Sequence, residues 1–231
     1  MEFDWSFLLS GNHLEKLSWG LLTALRLFGV AWAGGFLIAL LIVGLRAVPF
    51  APLGFLMRLF VEYHRNVPTV VQIMVWYFGM PEILPEPIRQ WINQGQSEFI
   101  FAAIALSLNV SAFFSEDIRA GLRAVPHTQI EAARSIGLRP VQAMLYVTLP
   151  QALRIGVPPL LNRSLILFKD TSLAMVIGVA ELTYQVKAIE NLTFRSFEVF
   201  AIATAAYLTV SLLIMGLGAW FSRRYPPACK G

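Results

Sequence analysis

The sequence predicts an all-α membrane protein with five transmembrane helices. The chain has 231 residues, of which 57% are hydrophobic and 14% are charged, whereas an ordinary soluble domain is about 45–50% apolar and about 25% charged. A soluble fold of this size would leave large apolar patches in contact with water. The composition therefore argues against a soluble enzyme, a disordered chain and a nucleic-acid-binding domain.

Long uncharged runs locate the transmembrane segments, because a helix needs about 20 mostly apolar residues to cross the hydrocarbon layer. The second segment contains Glu62 and Arg65, and it therefore carries charge at membrane depth. Lys169 and Asp170 interrupt the fourth segment, which we interpret as a short or broken helix. The predicted spans are residues 19–45, 53–79, 99–115, 160–180 and 199–222, within a single domain over 1–231.

The distribution of basic residues predicts the orientation, since Lys and Arg gather on the cytoplasmic side of membrane proteins. Five spans place the termini on opposite sides. We therefore expect the C-terminus and the loop over 119–157 in the cytoplasm and the N-terminus outside. The predicted cytoplasmic side holds Arg46, Arg119, Arg123, Arg134, Arg139, Arg154, Arg163, Arg223, Arg224 and Lys230, and the other side holds Lys16, Arg89, Lys187 and Arg195.

The long polar loop between the third and fourth spans is predicted to form a helical hairpin. Pro126 ends the helix that leaves the third span. Thr128 and Glu131 have the spacing of a capping box, with Thr128 as the N-cap. Gly137 is typical of a left-handed helix end, and Pro140 suits the first turn of the next helix.

Apolar residues recur every three positions in this hairpin, at Ile130, Ala133 and Ile136. The spacing predicts one apolar face on a helix that has its own end signals. Such a face would dock to a partner protein or lie on the lipid headgroups, and the spacing alone does not distinguish the two.

The same loop carries a specific motif. Glu131-Ala132-Ala133, three residues, Gly137, nine residues, Val147, one residue and Leu149-Pro150 follow in order. This pattern resembles the EAA loop of ABC importer permeases, in which the position of Val147 is usually isoleucine. The motif falls in the loop that is predicted to be cytoplasmic.

Two further motifs extend the resemblance over most of the chain. Arg65-Asn66-Val67-Pro68, followed by Val71-Gln72, is similar to a stretch of polar amino acid permeases, and Lys169-Asp170-Thr171-Ser172-Leu173 resembles their K-D-T-S-L motif. Asp4-Trp5-Ser6, the Arg65–Pro68 variant and Leu84-Pro85-Glu86 are most similar to glutamate/aspartate permeases.

The resemblance implies the type I ABC importer permease fold with a cytoplasmic EAA coupling hairpin, in the bacterial inner membrane. It implies that a P-loop ATPase dimer binds ATP and Mg, and that this chain holds no cofactor. It also implies a second permease subunit, a solute-binding protein, an amino acid substrate, surrounding lipid and no nucleic acid. The residues expected to couple to the ATPase are Glu131, Ala132, Ala133, Gly137, Leu149 and Pro150.

Charged residues at membrane depth normally face a cavity or a partner. Pro68 removes a helical hydrogen bond and frees backbone groups near Arg65 and Asn66. Arg65 would then face the translocation path and bind a substrate carboxylate through its guanidinium fork. The alternative is a salt bridge from Arg65 to Glu62 on the same helix face.

Lys169 and Asp170 form the second candidate set. A helix break after Asp170 would expose the amides of Thr171 and Ser172, and half-helix ends are ligand sites in transporters. Lys169 or the amides would hold an acidic group, and Asp170 would hold an α-amino group. The alternative is that the pair stabilises the permease dimer or the break. Gln72 would contact substrate or form a polar interhelix contact.

Other classes of protein explain fewer of these features. An ion-coupled secondary amino acid transporter would account for the charges, but most are longer and have visible repeats. No Ser/His, Cys/His or paired-carboxylate set supports an intramembrane enzyme, and the single Cys229 with three scattered histidines predicts no metal site. An importer permease for glutamine or basic amino acids is the nearer alternative.

Overall fold

The computed structural model describes residues 12–93 and 95–226, and this part of the chain is helical with no β-strand. Asp4-Trp5-Ser6, Cys229 and Lys230 lie outside the described residues. The helices are α1 His13–Ala47, α2 Ala51–Asn66, α3 Thr69–Met74, α4 Met80–Ile83, α5 Glu86–Asn93, α6 Ser97–Arg123, α7 His127–Ser135, α8 Pro140–Ala143, α9 Leu149–Asp170, α10 Leu182–Thr193 and α11 Ser196–Arg224. Two π-helical turns, Val75–Gly79 and Met144–Thr148, join α3 to α4 and α8 to α9, and a 3-10 helix, Thr171–Ile177, continues α9.

The centre of the bundle is α6, which packs against α1, α2, α3 and α9. Its buried side chains, among them Leu106, Val110 and Phe114, form one core with Leu27 of α1 and Leu167 of α9. A second, smaller core joins the start of α1 to α10 and α11. The central position of α6 explains why residues from four other helices converge beside it.

Small residues let α1 and α6 approach closely. A Cβ atom at Gly35 would lie 2.2 Å from Val110 Cγ1 and 3.0 Å from the Ser107 carbonyl oxygen. A Cβ atom at Gly121 would lie 2.8 Å from the carbonyl oxygen of Ala152, which sets the contact between α6 and α9 in the same way. Glycine at these positions allows the backbone-to-backbone packing typical of membrane helices.

The helix bounds correct several of the predicted span limits. Three described helices are long and apolar enough to cross a membrane, namely α1, α6 and α11. The span predicted over 53–79 is not continuous, because the helix ends at Asn66 and restarts at Thr69 around Pro68. The helix predicted from 160 begins at Leu149. The helix of the third span continues beyond 115 to Arg123, in agreement with its predicted end at Pro126.

Candidate functional site

The polar segment after α6 is a helical hairpin, as the sequence predicts. Gly137 has φ +87°. Its amide donates to the Arg134 carbonyl oxygen at 3.0 Å, and the Leu138 amide donates to the Ala133 carbonyl oxygen at 3.2 Å. These bonds satisfy the last carbonyls of α7 in the way that a left-handed glycine permits. Pro140 occupies the first turn of α8, which was also predicted.

The predicted capping box at Thr128 is wrong. The helix α7 begins at His127, its N-cap is Pro126, and no side chain caps it. The fixed φ of proline sets this start, and the Pro126 carbonyl oxygen accepts the Gln129 amide at 3.0 Å. A side-chain cap occurs instead at α8, where Gln142 Oε1 accepts the Arg139 amide at 2.9 Å.

The residues of the predicted apolar face do not form one surface on the hairpin. Ala133 is buried, whereas Ile136 is 78% exposed, because α7 ends at Ser135 and the three-residue spacing no longer applies beyond it. Exposed apolar side chains come instead from Ile136, Val141 and Tyr146. Of the EAA residues, Glu131, Ala132, Gly137, Leu149 and Pro150 are exposed and Ala133 is buried.

The helix break at Pro68 is fixed by two side-chain amides. Pro68 has no amide hydrogen to donate to the carbonyl oxygen of His64, four residues earlier. Gln72 Nε2 and Asn109 Nδ2 each donate to that oxygen at 3.0 Å. Gln72 Nε2 also donates to the Val67 carbonyl oxygen at 2.8 Å. Gln72 thus stabilises the break, and Asn109 joins the break to α6.

A cavity of about 280 Å³ lies between this break, α6 and α9. Arg65, Thr69 and Asp170 line it together with Phe113 and Arg163. The Arg163 guanidinium carbon lies 3.8 Å from the centroid of the Phe113 ring, and that of Arg65 lies 5.7 Å from the same centroid. Thr69 Oγ1 donates to Asp170 Oδ2 at 3.4 Å. Two guanidinium groups and a carboxylate therefore share one cavity.

The guanidinium groups of this cavity have carboxylate neighbours but no close ion pair: Asp117 interacts electrostatically with Arg65 and Arg163, and Asp170 interacts with Arg163. Among the described residues, no carboxylate lies within ion-pair distance of Arg65 or Arg163. The alternative pairing of Arg65 with Glu62 is thus not formed; Glu62 Oε2 instead accepts Asn66 Nδ2 at 3.0 Å. Asn66 also lines the cavity.

Lys169 and Asp170 face different spaces. Asp170 lines the cavity beside Arg163, whereas Lys169 lines a separate cleft of about 490 Å³ between α9 and α11 with Tyr207. The predicted exposure of amides after Asp170 is wrong for Thr171, whose N–H donates to the Leu167 carbonyl oxygen as α9 passes into the 3-10 helix. Thr171 is fully buried, and Ser172 Oγ donates to the Lys169 carbonyl oxygen at 2.7 Å.

Sequence reasoning missed most of the residues that line the cavity. It placed Arg163 among the cytoplasmic residues, because the fourth helix was expected to begin near 160. Arg163, Leu167 and Asp170 are spaced by four and three residues, so they share one face of α9. That spacing was available in the sequence, whereas the approach of Thr69, Asn109 and Phe113 depends on tertiary packing.

A bundle of membrane-spanning length, an exposed hairpin and a charged cavity define a helical membrane permease. Residues 17–226 match the family of binding-protein-dependent transport system inner membrane components. The chain belongs to this family and is a multi-pass permease component of an amino acid ABC importer; such components are not themselves enzymes. Membership of this family argues against the two alternative classes of protein, an ion-coupled secondary transporter and an intramembrane enzyme.

The relatives named here cover between 79% and 95% of the chain. The glutamate/aspartate import permease protein GltJ of Escherichia coli K12 is 32% identical over 230 residues, which cover 93% of this chain and 92% of that protein. The probable amino-acid ABC transporter permease protein PatM of Vibrio harveyi is 30% identical over 229 residues, 95% of each chain. The probable glutamine ABC transporter permease protein GlnM of Bacillus subtilis is 36% identical over 185 residues, 79% of this chain and 81% of that one.

Solved structures share the fold. A crystal structure of an amino acid ABC transporter with histidines matches with a TM-score of 0.83 and 32% identity, over 97% of this chain and 100% of that chain. The inward-facing MetNI methionine ABC transporter matches with a TM-score of 0.73 and 19% identity, over 94% and 99% of the two chains. The fold is that of the type I ABC importer permeases, as the sequence predicts.

Proposed function

We propose that this permease moves an acidic amino acid, glutamate or aspartate, through the cavity beside Pro68. The observation that carries the proposal is the placement of Arg65 and Arg163 around the ring of Phe113 with Asp170 on the same cavity. The relatives named for glutamate and aspartate support it.

The charges of the cavity are complementary to an acidic amino acid. Such a substrate carries two carboxylates and one ammonium group. Arg65 and Arg163 would each bind a carboxylate through a guanidinium fork, and Asp170 would accept hydrogen bonds from the ammonium group. A guanidinium or a carboxylate at membrane depth is costly unless it faces a cavity or a partner. Because groups of both signs line the same cavity, the cavity favours a ligand that carries both a negative and a positive group.

The same cavity is less complementary to glutamine. Glutamine has one carboxylate, so one of the two guanidinium groups would lose its water while keeping only the more distant carboxylates of Asp117 and Asp170 as ionic neighbours. A buried charge left in that state weakens binding. The glutamine-named relative makes this amino acid the second candidate, and the competition experiment below distinguishes the two.

The remaining parts of the importer follow from the hairpin. Its exposed EAA residues would dock on a P-loop ATPase dimer, which binds ATP and Mg, while a second permease subunit completes the translocation path. A solute-binding protein would deliver the amino acid on the outer side, where the N-terminus is expected, and the C-terminus would be cytoplasmic. ATP-driven closure would turn the permease pair between two rigid arrangements, which is alternating access.

Uptake into proteoliposomes that contain the whole complex tests the proposal. ATP is enclosed with the ATPase, the binding protein and labelled glutamate are outside, and unlabelled amino acids compete. We expect ATP-dependent uptake that only glutamate and aspartate suppress. Stronger suppression by glutamine or by a basic amino acid would refute the acidic substrate while leaving the importer class in place.

A further inference from the structure

Arginine outnumbers carboxylate at the end of the bundle where α1 and α6 finish. Arg46 lies in the last turn of α1, and Arg119 and Arg123 lie near the end of α6. All three face one carboxylate. Glu116 Oε1 accepts from Arg46 and, at 3.2 Å, from Arg119, and Glu116 Oε2 lies 3.8 Å from Arg123 Nη2. One carboxylate cannot neutralise three guanidinium groups, so this end has an excess of positive charge.

A fourth arginine adds to the excess beside a cavity. Arg46, Arg58 and Arg119 line a space of about 450 Å³ between the end of α1 and the start of α2. Arg58 Nε donates to the Gly54 carbonyl oxygen at 3.3 Å, and no carboxylate of the described chain pairs with its guanidinium. The N-terminus of α2 opens onto the same space without a side-chain cap, and its dipole adds positive potential.

The walls of this space are apolar. Val48, Pro49 and Phe50 line it, and Phe50 is 59% exposed. Exposed apolar side chains continue along α2 at Phe55 and Leu59. A phosphate ion would gain nothing from such a surface, whereas a molecule with an anionic head and apolar tails would contact both parts.

We propose that Arg46, Arg58 and Arg119 bind the phosphate of an anionic phospholipid whose acyl chains lie on the exposed apolar side chains of α2. Guanidinium groups make paired hydrogen bonds to phosphate oxygens. The phosphate offsets the charge that Glu116 leaves unneutralised. The lipid would thereby hold the α1–α2 connection at the membrane surface, independently of the amino acid that is transported.

Lipid titration of the purified full-length chain in detergent tests this site. Phosphatidylglycerol and phosphatidylcholine with the same acyl chains are compared, with native mass spectrometry counting the retained lipid. Arg58→Gln is the test variant, because Arg58 is exposed and has no carboxylate partner in the described chain. Arg223→Gln is the matched control, because it removes one exposed arginine from the end of α11, away from the cavity residues.

We expect preferential retention of phosphatidylglycerol, about five-fold weaker in Arg58→Gln and unchanged in Arg223→Gln. Equal retention of the two lipids, or equal loss in the two variants, would overturn the proposal. Displacement of the lipid by inorganic phosphate at equal concentration would also overturn it and indicate a free-anion site. If Arg58→Gln does not fold, retention of phosphatidylglycerol by the natural chain is measured at increasing ionic strength. We expect retention to fall as ionic strength rises, and retention that is independent of salt would contradict the proposal.

Discussion

Asn109 donates a hydrogen bond of 3.0 Å from its Nδ2 to the carbonyl oxygen of His64, the group that loses its helical partner at Pro68. The bond joins the central helix α6 to the break in the second predicted span. Gln72 completes the arrangement from the other side. The position of Arg65, the residue after His64, thus depends on a buried polar contact between two helices.

Replacement of Asn109 by alanine removes one of the two donors to that oxygen. Asn109 is buried, so we expect a loss of about 1 kcal/mol in stability and weaker glutamate affinity of the complex. Thermal unfolding and uptake measure the two effects. Asn162→Ala, at an exposed position on α9, is the control, and equal effects of the two substitutions would contradict the role of Asn109.

The contact between α1 and α6 predicts a difference between two glycines of one helix. Gly35→Ala places a Cβ atom 2.2 Å from Val110 Cγ1, whereas Gly29→Ala meets no atom within 4 Å. We expect Gly35→Ala to cost about 1–3 kcal/mol through overpacking and Gly29→Ala to leave stability unchanged or raised. Thermal denaturation of the purified protein checks this, and a stable Gly35→Ala variant would show that the helices can separate.

The hairpin depends on the backbone conformation of Gly137. Its φ is +87°, and a Cβ atom there would meet nothing within 4 Å, so the penalty for alanine is conformational, about 1–2 kcal/mol. We expect Gly137→Ala to weaken co-purification of the ATPase, and Gly137→Asn to preserve it better, because asparagine tolerates this conformation. Equal co-purification of the ATPase by the two variants and the natural chain would contradict the account.

Lys169 and Asp170 are predicted to differ, because they face different spaces. Asp170→Asn should raise the glutamate concentration needed for half-maximal uptake, since the amide no longer attracts the ammonium group. Lys169→Gln should leave that concentration unchanged, because Lys169 lines the cleft beside Tyr207. A larger effect at Lys169 would place the substrate path in that cleft instead.

The sequence predicts the fold well where one physical signal dominates. Uninterrupted apolar runs locate α1, α6 and α11, and Gly137 and Pro140 locate the turn of the hairpin. The predicted limit is wrong at the start of the fourth helix, which begins at Leu149 and not near 160. Arg163 lies inside α9, where its side chain lines a cavity.

The candidate site is only half readable from the sequence. Arg65 and Asp170 stand out as charges in apolar segments, and Pro68 predicts the helix break between α2 and α3. Phe113 and Asn109 do not, because an aromatic and an amide in a long helix are ordinary until packing brings α2 and α9 beside them. The structure also separates Lys169 from Asp170, since a helix turns about 100° per residue.

Equilibrium binding of labelled glutamate to the purified complex, without the solute-binding protein, tests the central claim most directly. The measurement isolates the permease cavity from the selectivity of the binding protein. We predict saturable binding that glutamine displaces poorly and that Arg163→Gln weakens about ten-fold or more, with Arg223→Gln unchanged. Binding that is insensitive to Arg163→Gln, or that glutamine displaces as well as glutamate does, would contradict the assignment of this cavity to an acidic amino acid.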